Sequence, residues 1–216
     1  MTRRTVVLLS SFAAVAIFIL SATFYSKPAP DFAQNVDSNG ENVLFRSHSP
    51  ILGPVSAKVT ITEFFDPLCE TCREFFPLVK EIIADHQGNV RVVLRYATFH
   101  AGAEEAVRIL EAARRQDKFE NVYSALMEKQ GEWAAHGAPN LPRAWEIAAE
   151  VGLDLAKAKQ DAVLPEVDRI IQQDMADAKM AEVTKTPTFF VNGKPLLSFG
   201  KQQLYDMVIE EAGMQQ

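Results

Sequence analysis

Cysteine occurs only twice in these 216 residues, at Cys69 and Cys72, with two residues between them. The flanks decide what that spacing means. Val59 to Phe65 reads VTITEFF, β-branched or aromatic apart from Glu63, which suits a buried strand. From Cys69 onward, CETCREFFPLVKEIIADHQG has helical spacing, with Cys72, Phe76, Val79 and Ile83 on one face and Gly88 as the stop. The pair therefore falls where a strand hands over to a helix. Cys69 at the helix start faces unsatisfied backbone N–H groups and the positive end of the helix dipole, both of which favour the thiolate. Cys72, one turn in, is close enough to displace a mixed disulfide formed at Cys69. An exposed attacking thiolate beside a sheltered resolving thiol is what disulfide exchange requires.

Other uses of the pair stay open at this point. A structural disulfide would close a loop too short to constrain the unfolded chain much. A zinc site needs two further ligands, and His48, His86, His100 and His136 are scattered. Copper handling by the thiol pair is the form a metal role would take, and no resident metal or other cofactor is expected. His100, after the second strand, reads as a surface-loop histidine that a fold could still bring near the cysteines.

The rest of the chain gives an alternating order. Val43 to Phe45 reads as a short edge strand, and Val90 to Tyr96 (VRVVLRY) as a second core strand. Between residues 101 and 182 the pattern is almost wholly helical, with breaks at Gly131, at His136 to Pro142, at Gly152 and at Pro165. Strand character returns at Thr188 to Val191. Asn192-Gly193 offers a two-residue hairpin turn, Pro195 to Leu197 an edge strand, and Lys201 to Glu211 a closing helix. The sum is an α/β core with a helical insertion.

Residues 5 to 25 (TVVLLSSFAAVAIFILSATFY) carry no charge and, as a helix, would reach roughly 31 Å, about a bilayer's hydrocarbon thickness. Arg3 and Arg4 precede them and favour a cytoplasmic N-terminus. Residues 1–25 read as a membrane anchor, or as a signal peptide, although bulky Phe24 and Tyr25 make a poor cleavage site. Residues 26–41, rich in Pro, Ser, Asn, Asp and Gly, read as a flexible linker, and residues 42–216 as one folded domain. Formal charge is -6, near -8 once the two leading arginines are set aside. Such a surface excludes nucleic acid as a natural partner.

The run EFFDPLCETCREFFP, joined far downstream by TKTPTFFVNGKPL, resembles the DsbA-like branch of the thioredoxin superfamily from Ser49 to Met214. That resemblance implies a thioredoxin-like fold with a helical insertion at about 101–182. It implies a thiol–disulfide oxidoreductase, and with the N-terminal segment the expectation is a protein anchored in the bacterial inner membrane with its domain in the periplasm, or a soluble periplasmic form after cleavage. The alternative is a non-catalytic copper-handling or membrane-complex assembly factor of the same fold. The expected partners are cysteine-containing exported proteins and a membrane redox partner. Residue by residue, it implies Cys69 as nucleophile and Cys72 as resolving thiol. Pro187 would be a cis-proline beside the pair, Thr186 a backbone contact for a bound substrate strand, and Glu63 a buried strand acid relaying a proton to or from Cys72. Pro77 matches a helix-kinking proline. The dipeptide Glu70-Thr71 departs from the Pro-His of strongly oxidising members. Glu70 is expected to raise the pKa of Cys69 and make the disulfide less oxidising.

Overall fold

A computed structural model describes residues 35–135 and 138–213. The segment read as an anchor lies outside them. The chain builds β1 (Ile51–Leu52), β2 (Val59–Phe65), α1 (Glu70–Asp85) and β3 (Val90–Tyr96). Six helices follow: α2 (Ala103–Arg114), α3 (Phe119–Glu128), α4 (Gln130–Trp133), α5 (Leu141–Glu150), α6 (Leu155–Asp161) and α7 (Pro165–Met180). It closes with β4 (Thr188–Val191), β5 (Lys194–Pro195) and α8 (Lys201–Glu211). The helical insertion thus falls where its periodicity places it. Gly131 does not break it, since the turn of α4 runs through that residue, whereas Gly152 ends α5 in the left-handed region and Pro165 opens α7.

The sheet order is β1-β3-β2-β4-β5. β2 and β3 run parallel from Val59↔Val90 to Phe65↔Tyr96, and β4 lies antiparallel on the other flank of β2. β2 is therefore central, and alternation sorts its side chains to two faces. Val59, Ile61 and Phe65 join the larger core, under α1 and the insertion, while Phe64 joins a second cluster with Val43, Leu44, Ala178 and Phe190. Glu63 shares the parity of Ile61 and Phe65, so it points toward α1. Asn192 and Gly193 both have positive φ, 48° and 82°, the twist that a two-residue hairpin between β4 and β5 needs.

Three expectations are corrected. Val43 to Phe45 is not an edge strand, because its backbone is satisfied locally: Val43 N–H donates to Asn35, Leu44 N–H to the Asn42 side chain and Phe45 N–H to the Asn42 carbonyl. The edge position belongs to β1, antiparallel to β3. Residues 35–41 are not slack linker. Asp37 accepts from the N–H groups of Asn39 and Glu41, and the carboxylates of Asp37 and Glu41 both take Arg46. In α1 the inward residue of the last turn is Ile82, with Ile83 half-buried.

Candidate active site

β2 ends at Phe65, and Asp66 turns the chain into α1. Its carboxylate accepts from Leu68 N–H and its carbonyl from Cys69 N–H, which sets Cys69 as the residue capping α1. Gln130, buried in α4, donates to the carbonyls of Pro67 and Cys69 at 2.9 and 3.0 Å and ties the insertion to this turn. On the far side, the peptide Thr186-Pro187 is cis, and Thr186 precedes β4, which pairs with β2. The Cys69 thiol donates to the Thr186 carbonyl at 3.2 Å. The strand ends thus bring Cys69, Cys72, Thr186 and Pro187 to one place.

The two cysteines are unbridged and unequal. Cys72 is 1% exposed; Cys69 is 6% exposed and reached through a cleft of about 240 Å³ lined by Leu68, Glu70, Thr71, His100, Ala101 and Ala134, among others. Cys69 is therefore less open than the sequence suggests. Its pKa is lowered to about 5, first by the hydrogen bond from the Cys72 thiol. Burial opposes this, while a Thr186 side-chain hydrogen bond and the N–H groups of Cys72 and Thr71 add to the lowering. Cys72 moves the other way, well above an ordinary thiol, through burial, its bond to Cys69 and the charges of Glu63 and Cys69. The expected lift from Glu70 is overridden. Glu70 is exposed to water, which weakens its field, whereas the groups that lower the pKa touch the sulfur itself.

Glu63 is 1% exposed, and its Oε2 has no hydrogen-bond partner among the described residues. Burial, and then the negative charge of Cys69, raises its pKa to about 8. Tyr123 of α3 is close enough to Glu63 and Cys72 that, after burial, both push its phenol further up. Sequence reasoning missed Asp66, Gln130 and Tyr123, whose partners lie in other elements with no local signal. It left His100 undecided. The structure places His100 in the cleft with Cys69, its Nδ1 2.8 Å from Asp66. Among the described residues, no group of three or more His, Cys, Asp and Glu side chains is placed to hold a metal ion, and no helix is long and apolar enough to cross a membrane.

A family model described as Thioredoxin matches residues 46–210. A thioredoxin-like oxidoreductase from Silicibacter pomeroyi DSS-3 has a similar structure, with 31% identity, TM-score 0.68, and coverage of 79% of this chain and 95% of that one. Disulfide bond formation protein D of Bacillus subtilis is 27% identical over 177 residues, 74% of each chain. The Na(+)/H(+) antiporter NhaA 3 of Salinispora tropica is 32% identical over 147 residues, 67% of this chain and 22% of that protein. The chain spans about a fifth of the length of the first curated relatives it matches. With Cys69 and Cys72 at the strand–helix joint, the chain belongs to the thioredoxin family.

Proposed function

We propose that the protein exchanges disulfides with exported proteins outside the cytoplasm, held to the inner membrane by residues 1–25. The observation that carries the reading is the opposed pair of thiols: Cys69 acidified to about 5 and Cys72 pushed well above the ordinary range. A substrate thiolate attacks Cys69 of the oxidised pair, Cys72 leaves and takes a proton, and a second substrate thiolate attacks the substrate sulfur of the mixed disulfide, releasing the substrate disulfide and the Cys69 thiolate. Glu63, beneath the pair and still holding its proton at neutral pH, donates it to the departing Cys72. Thr186, whose carbonyl already faces Cys69, and Pro187 receive the substrate backbone.

Electron flow runs toward disulfide formation. At pH 7 a thiolate with pKa about 5 favours the dithiol by about a hundredfold over an ordinary cysteine, and each tenfold is about 30 mV. The pair then sits about 60 mV more oxidising than one with an unshifted nucleophile. The name of the Bacillus subtilis relative speaks for the same direction. Equilibration with glutathione at pH 7 tests it: a potential above thioredoxin's, about −270 mV, is expected, and one at or below it overturns formation in favour of reduction. Glu70 and Thr71 tune that value; replacing them by Pro and His makes the disulfide more oxidising. A membrane redox partner returns the pair to its oxidised state.

A further inference from the structure

Asp66 is fully buried, and its carboxylate accepts four hydrogen bonds, none from Cys69 or Cys72. Oδ1 takes Leu68 N–H at 2.8 Å. Oδ2 takes Phe99 N–H at 2.8 Å, His100 N–H at 2.9 Å and the ring Nδ1 of His100 at 2.8 Å. A carboxylate oxygen that already accepts from two N–H groups receives a third, so Nδ1 carries its hydrogen and Nε2 is the atom left to exchange protons. The ring is 51% exposed, and it lines the cleft that also holds Cys69, Glu70 and Thr71. A buried acid orienting a histidine toward a nucleophile's cleft is an arrangement for moving protons. The function read from the thiol pair alone does not use it.

We propose that His100 is a catalytic residue, the proton donor to the sulfur that leaves when Cys69 attacks a substrate disulfide. This rests on the oxidoreductase reading and assigns a step within it. Cys69 Sγ forms a bond to one substrate sulfur, the substrate S–S bond breaks, and its electron pair goes to the second sulfur. That sulfur takes the proton from His100 Nε2, and the neutral ring recovers one from water. One disulfide replaces another, so no outside oxidant or reductant enters. In the disulfide-forming direction proposed above the same step runs backwards, and Nε2 removes the proton from an incoming substrate thiol. The titratable groups around the ring are Asp66 behind it and Cys69 and Glu70 across the cleft.

The need for that proton depends on the leaving group, and this gives the test. An alkyl thiolate such as that of oxidised glutathione is basic and gains from protonation as it departs. A nitrobenzoate thiolate is stable unprotonated and gains nothing. In His100→Asn the side-chain amide keeps the hydrogen bond to Asp66 and removes the proton carrier. Stopped-flow attack by the full-length reduced chain should slow about tenfold or more with oxidised glutathione and stay within twofold of wild type with the bis(nitrobenzoate) disulfide. Equal slowing on both probes, or no slowing on glutathione, overturns the assignment, and the unchanged aryl rate shows that the variant is folded. A wild-type chain inert to both probes overturns the oxidoreductase reading itself, and the role of His100 with it.

Discussion

The Cys72 thiol is the largest cause of the acidity of Cys69, so the asymmetry of the pair is written in one hydrogen bond. Cys72→Ala should raise the pKa of Cys69 by about a unit or more, and Cys72→Ser, which keeps a donor, by less. The pH dependence of Cys69 alkylation measures both. A value still near 5 in Cys72→Ala would assign the acidity to the backbone N–H groups of α1 instead. Glu63 yields a second prediction, on stability. Its folded pKa lies near 8, above the unfolded 4.5, so the native state holds its proton where the unfolded chain has lost it. Stability therefore falls as pH rises from about 4.5 to about 8, by about 3 kcal/mol at pH 7. Glu63→Gln should be about 1–3 kcal/mol more stable than wild type at pH 7 and no more stable at pH 4, as read by urea unfolding. Run backwards, with the reduced chain attacking a disulfide, the same variant should slow release of the mixed disulfide, where Cys72 must lose its proton, and spare its formation. Equal slowing of both steps would remove Glu63 from the proton path.

At the scale of elements, the three core strands were legible because β-branched and aromatic residues make up most of each, and two of them, β2 and β3, are buried on both faces. The site was legible for a related reason: Cys69, Cys72 and Glu63 lie on β2 and α1, contiguous in sequence, and Pro187 heads β4. What stayed hidden depends on pairs far apart in the chain. Arg95 of β3 donates to Asp174 at 2.8 Å and to Asp177 at 2.6 Å on α7, and to the Val43 carbonyl. Arg46 donates to Asp177 from the other side, and His48 is 2.7 Å from Asp174. No periodicity marks residues 37 to 48 for this packing. The cluster lies on the face of the sheet away from Cys72, since Arg95 stands opposite Phe64 in the register, one residue out of phase with Glu63. Asp177→Ala leaves two buried guanidinium groups short of a partner and should cost about 3–5 kcal/mol. The alkylation profile of Cys69 should not move. If it shifted together with stability, the two faces of the sheet would be coupled and the cluster would belong to the redox site.

For the whole molecule, the proposed anchoring turns on energetics that the folded domain does not share. Eleven of the 21 residues from Thr5 to Tyr25 are Val, Leu, Ile or Phe, each favouring insertion by about 0.3–0.6 kcal/mol at a membrane helix centre. Together they supply about 3–7 kcal/mol, reduced by the Ser and Thr residues among them. In the proposed topology Arg3 and Arg4 favour keeping the short N-terminal end inside, with the domain and its CxxC on the opposite side. The domain carries a net negative charge that disfavours anionic lipid headgroups, so the proposal assigns firm membrane association to that segment. Two measurements on the full-length chain in bacteria separate the possibilities. The protein should stay with the membrane fraction through high salt and alkaline washing and leave it only in detergent, its mass showing residues 1–25 intact. A soluble form starting near Thr23 would mean cleavage. A maleimide that cannot cross the inner membrane should label Cys69 in cells with a permeabilised outer membrane and fail to label Cys69→Ser. Labelling only after lysis would place the thiol pair in the cytoplasm, where reducing buffers would keep it from passing disulfides to anything. The oxidising direction and the outward orientation therefore stand or fall together.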